Sequence, residues 1–279
     1  MKIPLRGSSR SSSERDPIGI FDSGIGGLTV ANAIRKVLPG ETIIYFGDTA
    51  HLPYGDKSPD SIRNYSIRIA DFLLERKCKL IVIACNTASS VAYDAVRKHV
   101  GKRAVVINVI DPVVQVVAER FKRCSIGVIG TKGTIKSDVY AKKLRSLNKA
   151  LSTTSLATPL LAPMIEEGFF NNKISRTIIN SYLSRPKIKK ISALILACTH
   201  YPLIRPEIEE YYNKKVAIVD SAEIVADYVR SKLRNSHLQN PGMQGHNHFF
   251  VSDYTRSFEK STRIFFRGRI KLKHYALWK

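Results

Sequence analysis

The sequence contains no apolar stretch that approaches the roughly 20 residues needed to cross a bilayer, although 44% of its 279 residues are hydrophobic. The first 16 residues carry four basic side chains and a serine run, without the apolar centre of a secretory signal. Only four cysteines are present, and none belongs to a C-x-x-C pair. A disulfide framework and a structural zinc site are therefore not predicted. These absences predict a cytoplasmic protein with a sizeable hydrophobic core and no bound metal.

Acidic residues are scarce, because 23 Asp and Glu stand against 45 Lys and Arg, and the formal net charge is +22. Such a balance favours anionic partners: nucleic acids, acidic lipids or acidic small molecules. Basic and aromatic residues are concentrated together in residues 254–279. That mixture suits nucleic-acid contact, but an amphipathic helix that closes the fold explains it more simply. We therefore expect residues 254–279 to be peripheral to catalysis, and nucleic-acid binding by this tail is the less favoured interpretation.

Two short apolar runs end in similar polar tripeptides. Residues 80–84 precede Cys85-Asn86-Thr87, and residues 193–197 precede Cys198-Thr199-His200. Each run is typical of a fully buried strand in a parallel sheet. Open α/β sheets bind ligands at the carboxyl ends of their strands. The pattern therefore predicts two thiols in one binding cleft.

A second pair of similar segments predicts an internal duplication. Residues 18–23 and 126–131 are both apolar strands that end in a turn with glycine and hydroxyl groups. Their offset, just over a hundred residues, is close to the offset between the two cysteine tripeptides. Strands alternate with helices along most of the chain, which predicts parallel sheets with right-handed crossovers. We expect two similar α/β domains.

The glycine-rich turn after the first strand, residues 22–27, does not match a dinucleotide fingerprint. Thr29 stands where the last glycine of G-x-G-x-x-G belongs. A glycine-rich turn that opens a helix still offers backbone N–H groups to an anion such as a carboxylate. Asp22 then either holds an ammonium group, acts on protons, or caps the strand end.

Two thiols without a metal or a disulfide suit the inversion of a stereocentre. A lone cysteine after an apolar strand is usually an inert core residue, which is how we interpret Cys78 and Cys124. Inversion by proton transfer needs a base on one face of the carbon and an acid on the other. A thiol becomes a useful base when a helix N-terminus or a protonated histidine lowers its pKa. Cys85 and Cys198 both lie at predicted strand-to-helix turns, and His200 follows Cys198 closely.

The complete set of motifs resembles bacterial glutamate racemase, in the cofactor-independent aspartate/glutamate racemase family. The resemblance extends from about Ile18 to Leu233. It is carried, in this order, by residues 22–27 (DSGIGG), 45–50 (YFGDTA), 53–55 (PYG), 85–87 (CNT), 130–134 (GTKGT) and 198–202 (CTHYP).

The resemblance implies an activity and a set of site residues. The activity is interconversion of L- and D-glutamate, which supplies D-glutamate for peptidoglycan, with no cofactor and no metal. Cys85 and Cys198 are then the catalytic acid/base thiols, assisted by Asp22, His200 and Glu166. The implied substrate-binding residues are Asp22, Ser23, Tyr54, Gly55, Asn86, Thr87, Thr199 and His200.

The resemblance also implies a domain arrangement. Each of two α/β domains holds a mainly parallel sheet flanked by helices, and the active site lies in the cleft between them. We expect a disordered tail over residues 1–17, a first domain over residues 18–108 plus 221–279, and a second domain over residues 109–220. Besides glutamate, a homodimer partner and a regulatory cell-wall precursor are left open.

Three alternatives remain from the sequence. The nearest is an aspartate racemase, since pocket size cannot be read from residue patterns. An anion- or nucleic-acid-binding protein on a racemase scaffold would explain the charge, but the presence of both thiols argues against it. A thiol redox protein is disfavoured by the missing C-x-x-C motif.

Overall fold

The chain forms two parallel sheets with helices packed against them. The computed structural model describes residues 13–242, 244–266, 268 and 270–278. The first part of the chain contains β1 (Ile18–Asp22), α1 (Leu28–Val37), β2 (Ile43–Gly47), α2 (Pro59–Glu75), β3 (Leu80–Ile83), α3 (Asn86–Val100) and β4 (Val105–Asn108). The second part contains α4 (Ile110–Arg120), β5 (Ser125–Gly130), α5 (Lys132–Ser137), α6 (Val139–Leu147), β6 (Ser152–Ala157), α7 (Leu161–Glu166), α8 (Lys173–Leu183), β7 (Ala193–Ala197), α9 (Arg205–Tyr211) and β8 (Ala217–Val219).

The last part of the chain returns to the first sheet. It contains α10 (Ser221–Asn235), β9 (His248–Val251), α11 (Arg256–Phe265) and β10 (Leu272–His274). Strand β9 pairs with β2, and β10 pairs with β9, so these two strands extend one edge of the first sheet.

The strand orders of the two sheets confirm the predicted duplication. The first sheet has the order β10-β9-β2-β1-β3-β4, and the second has the order β6-β5-β7-β8. Without β9 and β10, the two orders are equivalent, and every strand pair is parallel. The predicted fold class, two similar α/β units with parallel sheets, is therefore confirmed. The predicted cysteine strands are β3 and β7, at equivalent positions in the two sheets.

Burial on both faces explains why the strands are continuous apolar runs. Along β1, Ile18 and Ile20 pack on the side of α1 and α10, and Phe21 packs on the side of α2 and α3. All five residues of β1 are buried, which is the expected pattern for a parallel sheet covered by helices. Polar side chains are left for the strand ends.

Three strands differ from the sequence-based expectation. Strand β6 has the sequence STTSLA and is mostly half-buried, so it has no apolar run that would reveal it. No strand was predicted for β9, and β10 lies in residues 254–279, where an amphipathic helix was expected. Both strands add to the edge of a sheet whose other strands are distant in sequence, so their formation depends on the tertiary structure and not on a local pattern.

The predicted domain boundaries, at residues 108/109 and 220/221, stay a prediction. Residues 1–12 of the predicted tail lie outside the described residues. Residues 13–16 form a turn in which the Asp16 N–H donates to the Ser13 carbonyl at 3.0 Å. Within the described ranges, no helix is both long enough and apolar enough to cross a membrane.

Candidate active site

Both cysteines predicted to be catalytic line one small cavity between the two sheets. The cavity measures about 210 Å³, which is small for a dinucleotide and suits a small metabolite. The first sheet and its loops contribute Ser23, Tyr54, Gly55, Cys85, Asn86 and Thr87, and the second part of the chain contributes Thr131, Glu166, Cys198, Thr199 and His200. Of the predicted site residues, only Asp22 does not lie on the cavity wall.

Cys85 lies at the carboxyl end of β3 and is the N-cap of α3. Its sulfur accepts the Ala88 N–H at 3.4 Å, and its thiol donates to Ser23 Oγ at 3.5 Å. Burial, followed by the nearby carboxylate of Asp22, raises the pKa of the Cys85 thiol to about 12. The expectation that a helix N-terminus lowers this pKa is therefore wrong for Cys85, because desolvation outweighs the hydrogen bonds to sulfur.

Asp22 lies behind the cavity wall and closes the glycine-rich turn. Its Oδ2 accepts the backbone N–H groups of Gly24 at 3.3 Å and Gly27 at 2.9 Å. Asp22 itself therefore accepts hydrogen bonds from two of the backbone N–H groups that the sequence pattern predicted to bind a ligand. Burial raises the pKa of Asp22, against the opposing effects of the His200 charge and the backbone N–H groups. The second carboxylate oxygen is buried, and none of the described residues forms a hydrogen bond with it.

Cys198 follows β7 and belongs to a chain of three side chains. Its sulfur lies 3.6 Å from His200 Nδ1, and His200 Nε2 lies 2.8 Å from Glu166 Oε1. Burial lowers the pKa of His200, but hydrogen bonds and charge interactions with Cys198 and Glu166 outweigh it, so this pKa lies well above its ordinary value. The imidazolium form is therefore favoured beside the second thiol.

The glycine at position 26 lets His200 approach the start of α1. A Cβ atom at Gly26 would overlap the imidazole ring of His200 and the hydroxyl of Thr199. Thr199 is also tied to α1, because Thr29 Oγ1 donates to its carbonyl at 3.1 Å. The two parts of the chain are thus in close contact directly behind the second thiol.

Asn86 and Thr87 begin α3 on the cavity wall, and residues from the second part of the chain hold them. Tyr140 donates to Asn86 Oδ1 at 2.6 Å. The buried Asn86 Nδ2 has no hydrogen-bond partner among the described residues. The Thr87 hydroxyl lies 2.8 Å from that of Thr131 and 3.2 Å from that of Thr134. The unpaired amide and the N-terminus of the 15-residue helix α3 both favour an anionic group in the cavity.

Sequence reasoning missed Tyr140 and Thr131 as site residues. Thr131 lies in one of the motifs that carried the family resemblance, so the motif was a usable signal. Tyr140 lies on a helix that is polar overall, and no local pattern distinguishes it.

The carboxy-terminal segment also reaches the site, contrary to the expectation that it is peripheral. The ring of Phe265, at the end of α11, packs edge-on against the His200 ring with centroids 5.1 Å apart. Phe265 is buried. Residues 254–279 are therefore not confined to the surface.

The remaining cysteines lie outside the cavity. Cys78 is buried in the first domain's core, where burial raises its pKa to about 12, and Cys124 is partly exposed. No cluster of three or more His, Cys, Asp or Glu side chains suited to a metal ion occurs in the part of the chain that the structure describes.

Comparison with known proteins identifies the family of this chain. The sequence profile of the Asp/Glu/Hydantoin racemase family matches residues 28–229. The chain belongs to this family. It is 43% identical to a glutamate racemase of Geobacter metallireducens over 254 residues, which cover 91% of this chain and 93% of the relative.

Solved structures of racemases superpose on the whole fold. Glutamate racemase of Francisella tularensis, crystallised with D-glutamate, has a TM-score of 0.89 at 36% identity, and the match covers 95% of this chain and 99% of that one. Glutamate racemase of Escherichia coli, crystallised with L-glutamate and the activator UDP-MurNAc-ala, has a TM-score of 0.69 at 25% identity over 90% of this chain and 96% of that one. The family resemblance drawn from the motifs is thus confirmed.

Proposed function

We propose that this protein is a glutamate racemase that interconverts L- and D-glutamate by acid/base catalysis with two thiols. The observation that carries the proposal is the placement of Cys85 and Cys198, which come from equivalent strands of two sheets and line one cavity. Two thiols on the walls of one cavity can serve the two faces of a substrate's α-carbon. The D-glutamate formed would serve peptidoglycan synthesis.

The two thiols have different electrostatic surroundings. Cys85 keeps its proton near neutral pH because its pKa is raised to about 12. Cys198 faces His200, whose pKa is raised, so a positive charge lies beside the second sulfur. In the proposed reaction of L-glutamate, Cys85 is the acid and Cys198 is the base.

This arrangement is ready for L-glutamate. The Cys198 thiolate takes the α-proton, and the Cys85 thiol donates its own proton to the opposite face of the same carbon. D-glutamate results, and the protonation states of the two thiols are exchanged. Reaction of D-glutamate runs through the same steps in reverse. The family resemblance, rather than the geometry, assigns Cys85 to the D-isomer and Cys198 to the L-isomer.

Neutral groups would bind the substrate's carboxylates. No Lys or Arg is found among the described residues that line the cavity. We assign the donors to the substrate carboxylates as Asn86 Nδ2, the hydroxyl groups of Thr87 and Thr131, and the N-terminus of α3. Asp22 acts from behind Cys85 through its charge, and Glu166 acts through His200.

The decisive experiment is circular dichroism of L-glutamate incubated with purified protein and no added cofactor. The signal should decay to zero, and the D-isomer should give the mirror-image decay. Parallel incubation with L-aspartate tests the aspartate racemase alternative. The two thiols account for both proton transfers, so we expect the activity to survive dialysis against a chelator. Loss of activity that zinc restores would contradict this proposal.

Replacing either catalytic thiol tests the mechanism. Cys85→Ala and Cys198→Ala should each abolish racemisation, since loss of a positioned acid or base costs about 10²–10⁴-fold and each thiol serves an obligatory step. Cys124→Ala is the matched control, because Cys124 lies outside the cavity. Near wild-type racemisation by a folded variant of either catalytic thiol would exclude the two-thiol mechanism.

Three statements about partners stay predictions. Stimulation by a cell-wall precursor is tested by adding UDP-MurNAc-ala, the activator present in the E. coli structure. A homodimer is tested by light scattering. Nucleic-acid binding by the basic tail, the less favoured interpretation, is tested by salt-dependent retention on DNA.

A further inference from the structure

A buried carboxylate next to the cavity joins the substrate loop to the end of the chain. Asp48 is fully buried and follows β2. It accepts hydrogen bonds from Tyr54 Oη at 2.6 Å, Ser252 Oγ at 2.7 Å and Trp278 Nε1 at 2.8 Å, and it lies 3.0 Å from His51 Nδ1. Ser252 and Trp278 lie more than 200 positions along the chain from Asp48.

The same two stretches are joined by backbone contacts. The Ala50 N–H donates to Ser252 Oγ at 2.9 Å, and the Asp253 N–H donates to Thr49 Oγ1 at 2.9 Å. The loop that follows β2 is therefore held by the chain that follows β9 on one side. On its other side, the loop lines the cavity with residues 52–55.

Trp278 closes this cluster from the outside. Its indole ring meets the ring of His51 edge-on at 4.5 Å and that of Tyr65 at 5.3 Å, and His51 stacks on Tyr65 at 4.0 Å. The ring contacts hold the indole in place, so that its N–H points at Asp48. Trp278 thus contributes a directed donor rather than apolar cover alone.

Tyr54 connects this cluster to the substrate site. Its hydroxyl donates a hydrogen bond to Asp48, and the residue lines the cavity beside Gly55. Gly55 in turn lies close to Thr131, since a Cβ atom added there would stand 3.0 Å from Thr131 Cβ. A small displacement of Asp48 would therefore move the wall that faces the donors proposed to bind the substrate.

We infer that Trp278 is a positioning residue of the active site, which acts through Asp48 to hold the Tyr54–Gly55 wall for substrate binding. The inference rests on the proposed racemase function. It assigns Trp278 a role in substrate affinity and none in proton transfer, because within the described residues no hydrogen bond joins Asp48 or Trp278 to either catalytic thiol.

The test replaces Trp278 by phenylalanine, which keeps an aromatic ring over His51 and removes only the N–H donor. We expect KM for both glutamate enantiomers to rise about tenfold, which is the scale of one hydrogen bond to a charged group, while kcat stays within about twofold. Tyr275→Phe is the matched control. It removes a hydroxyl from an aromatic residue that packs on Phe72 and is not among the described residues that donate to Asp48, and it should leave KM unchanged.

A double variant tests whether the effect passes through Asp48. Tyr54→Phe removes a second donor to Asp48 and should also raise KM. Two changes that act through one carboxylate are not additive, so the Trp278→Phe/Tyr54→Phe double variant should have a KM well below the product of the two separate effects. Asp48→Asn, which is nearly isosteric, should raise KM in the same way if Trp278→Phe fails to fold.

The outcomes separate this inference from the proposed function. An inactive wild-type protein would refute the function itself. An active wild type whose Trp278→Phe and Asp48→Asn variants keep the KM of Tyr275→Phe would refute the positioning role alone. A Trp278→Phe variant with lowered thermal stability and unchanged KM would likewise show a purely structural residue.

Discussion

The contact between His200 and Glu166 offers a sharp test of how the second thiol is activated. Glu166 Oε1 lies 2.8 Å from His200 Nε2, and His200 Nδ1 lies 3.6 Å from the Cys198 sulfur. Glu166→Gln keeps an oxygen acceptor at the same place and removes its negative charge. The imidazolium form of His200 should then be less stable, so less positive charge would lie beside the Cys198 sulfur during proton transfer.

The size of the effect follows from the exposure of the pair. A hydrogen bond to a charged group contributes about 1.5–3 kcal/mol. The Glu166 side chain is 34% exposed, so solvent screening places the loss at the lower end, about 1.5 kcal/mol. This free energy corresponds to roughly a tenfold fall in kcat/KM. L- and D-glutamate have equal free energies in water, so the fall must be the same in both directions.

The pH profile gives a second, independent signature. The imidazolium exists below the pKa of His200 and is lost as the pH rises through it. Glu166 is one of the groups that raise this pKa, so Glu166→Gln should lower it. The loss of activity on the alkaline side should therefore move to lower pH in the variant.

Both signatures are measured by circular dichroism with each enantiomer, from neutral to alkaline pH. Glu167→Gln is the matched control, because Glu167 is the next residue and is exposed. It should leave the rate and the pH profile unchanged. A folded Glu166→Gln variant with the kcat/KM and alkaline limb of the wild type would refute the proposed role of Glu166.

Two further predictions concern packing. Gly26→Ala places a methyl group against the imidazole of His200. A displacement of about 1 Å at a catalytic group would lower kcat/KM roughly 100-fold, and wild-type kinetics in this variant would contradict the close approach of His200 to Gly26. Lys79→Met leaves the buried carboxylate of Glu41 without its cation, which lies at 2.6 Å, and should cost about 3–5 kcal/mol in urea unfolding. Asp60→Asn, in an exposed ion pair, should cost less than about 1 kcal/mol, and equal losses for the two variants would show that burial does not decide the effect.

Local chemistry explains why much of the fold could be predicted from the sequence. Strands β3 and β7 are buried on both faces, so they must be continuous apolar runs, and their ends are marked by the first polar residues, Cys85-Asn86-Thr87 and Cys198-Thr199-His200. The start of α2 has a similarly local cause, because the Ser58 side chain caps the helix and Pro59 occupies its first position. Strand β6 was missed because an edge strand with half-buried polar residues has no such signature.

The sequence by itself determined the duplicated α/β fold, the family and the two thiols, because these depend on apolar runs and on motifs only a few residues long. The tertiary structure alone decided what surrounds each thiol. Tyr140, 54 positions away, donates to Asn86, and one of the donors to Asp48 is Trp278, 230 positions away. Burial likewise raises the pKa of Cys85 at a helix N-terminus that should lower it. Such contacts depend on which distant elements pack together, and desolvation depends on everything that packs around a group, so neither is encoded in a local pattern of residues.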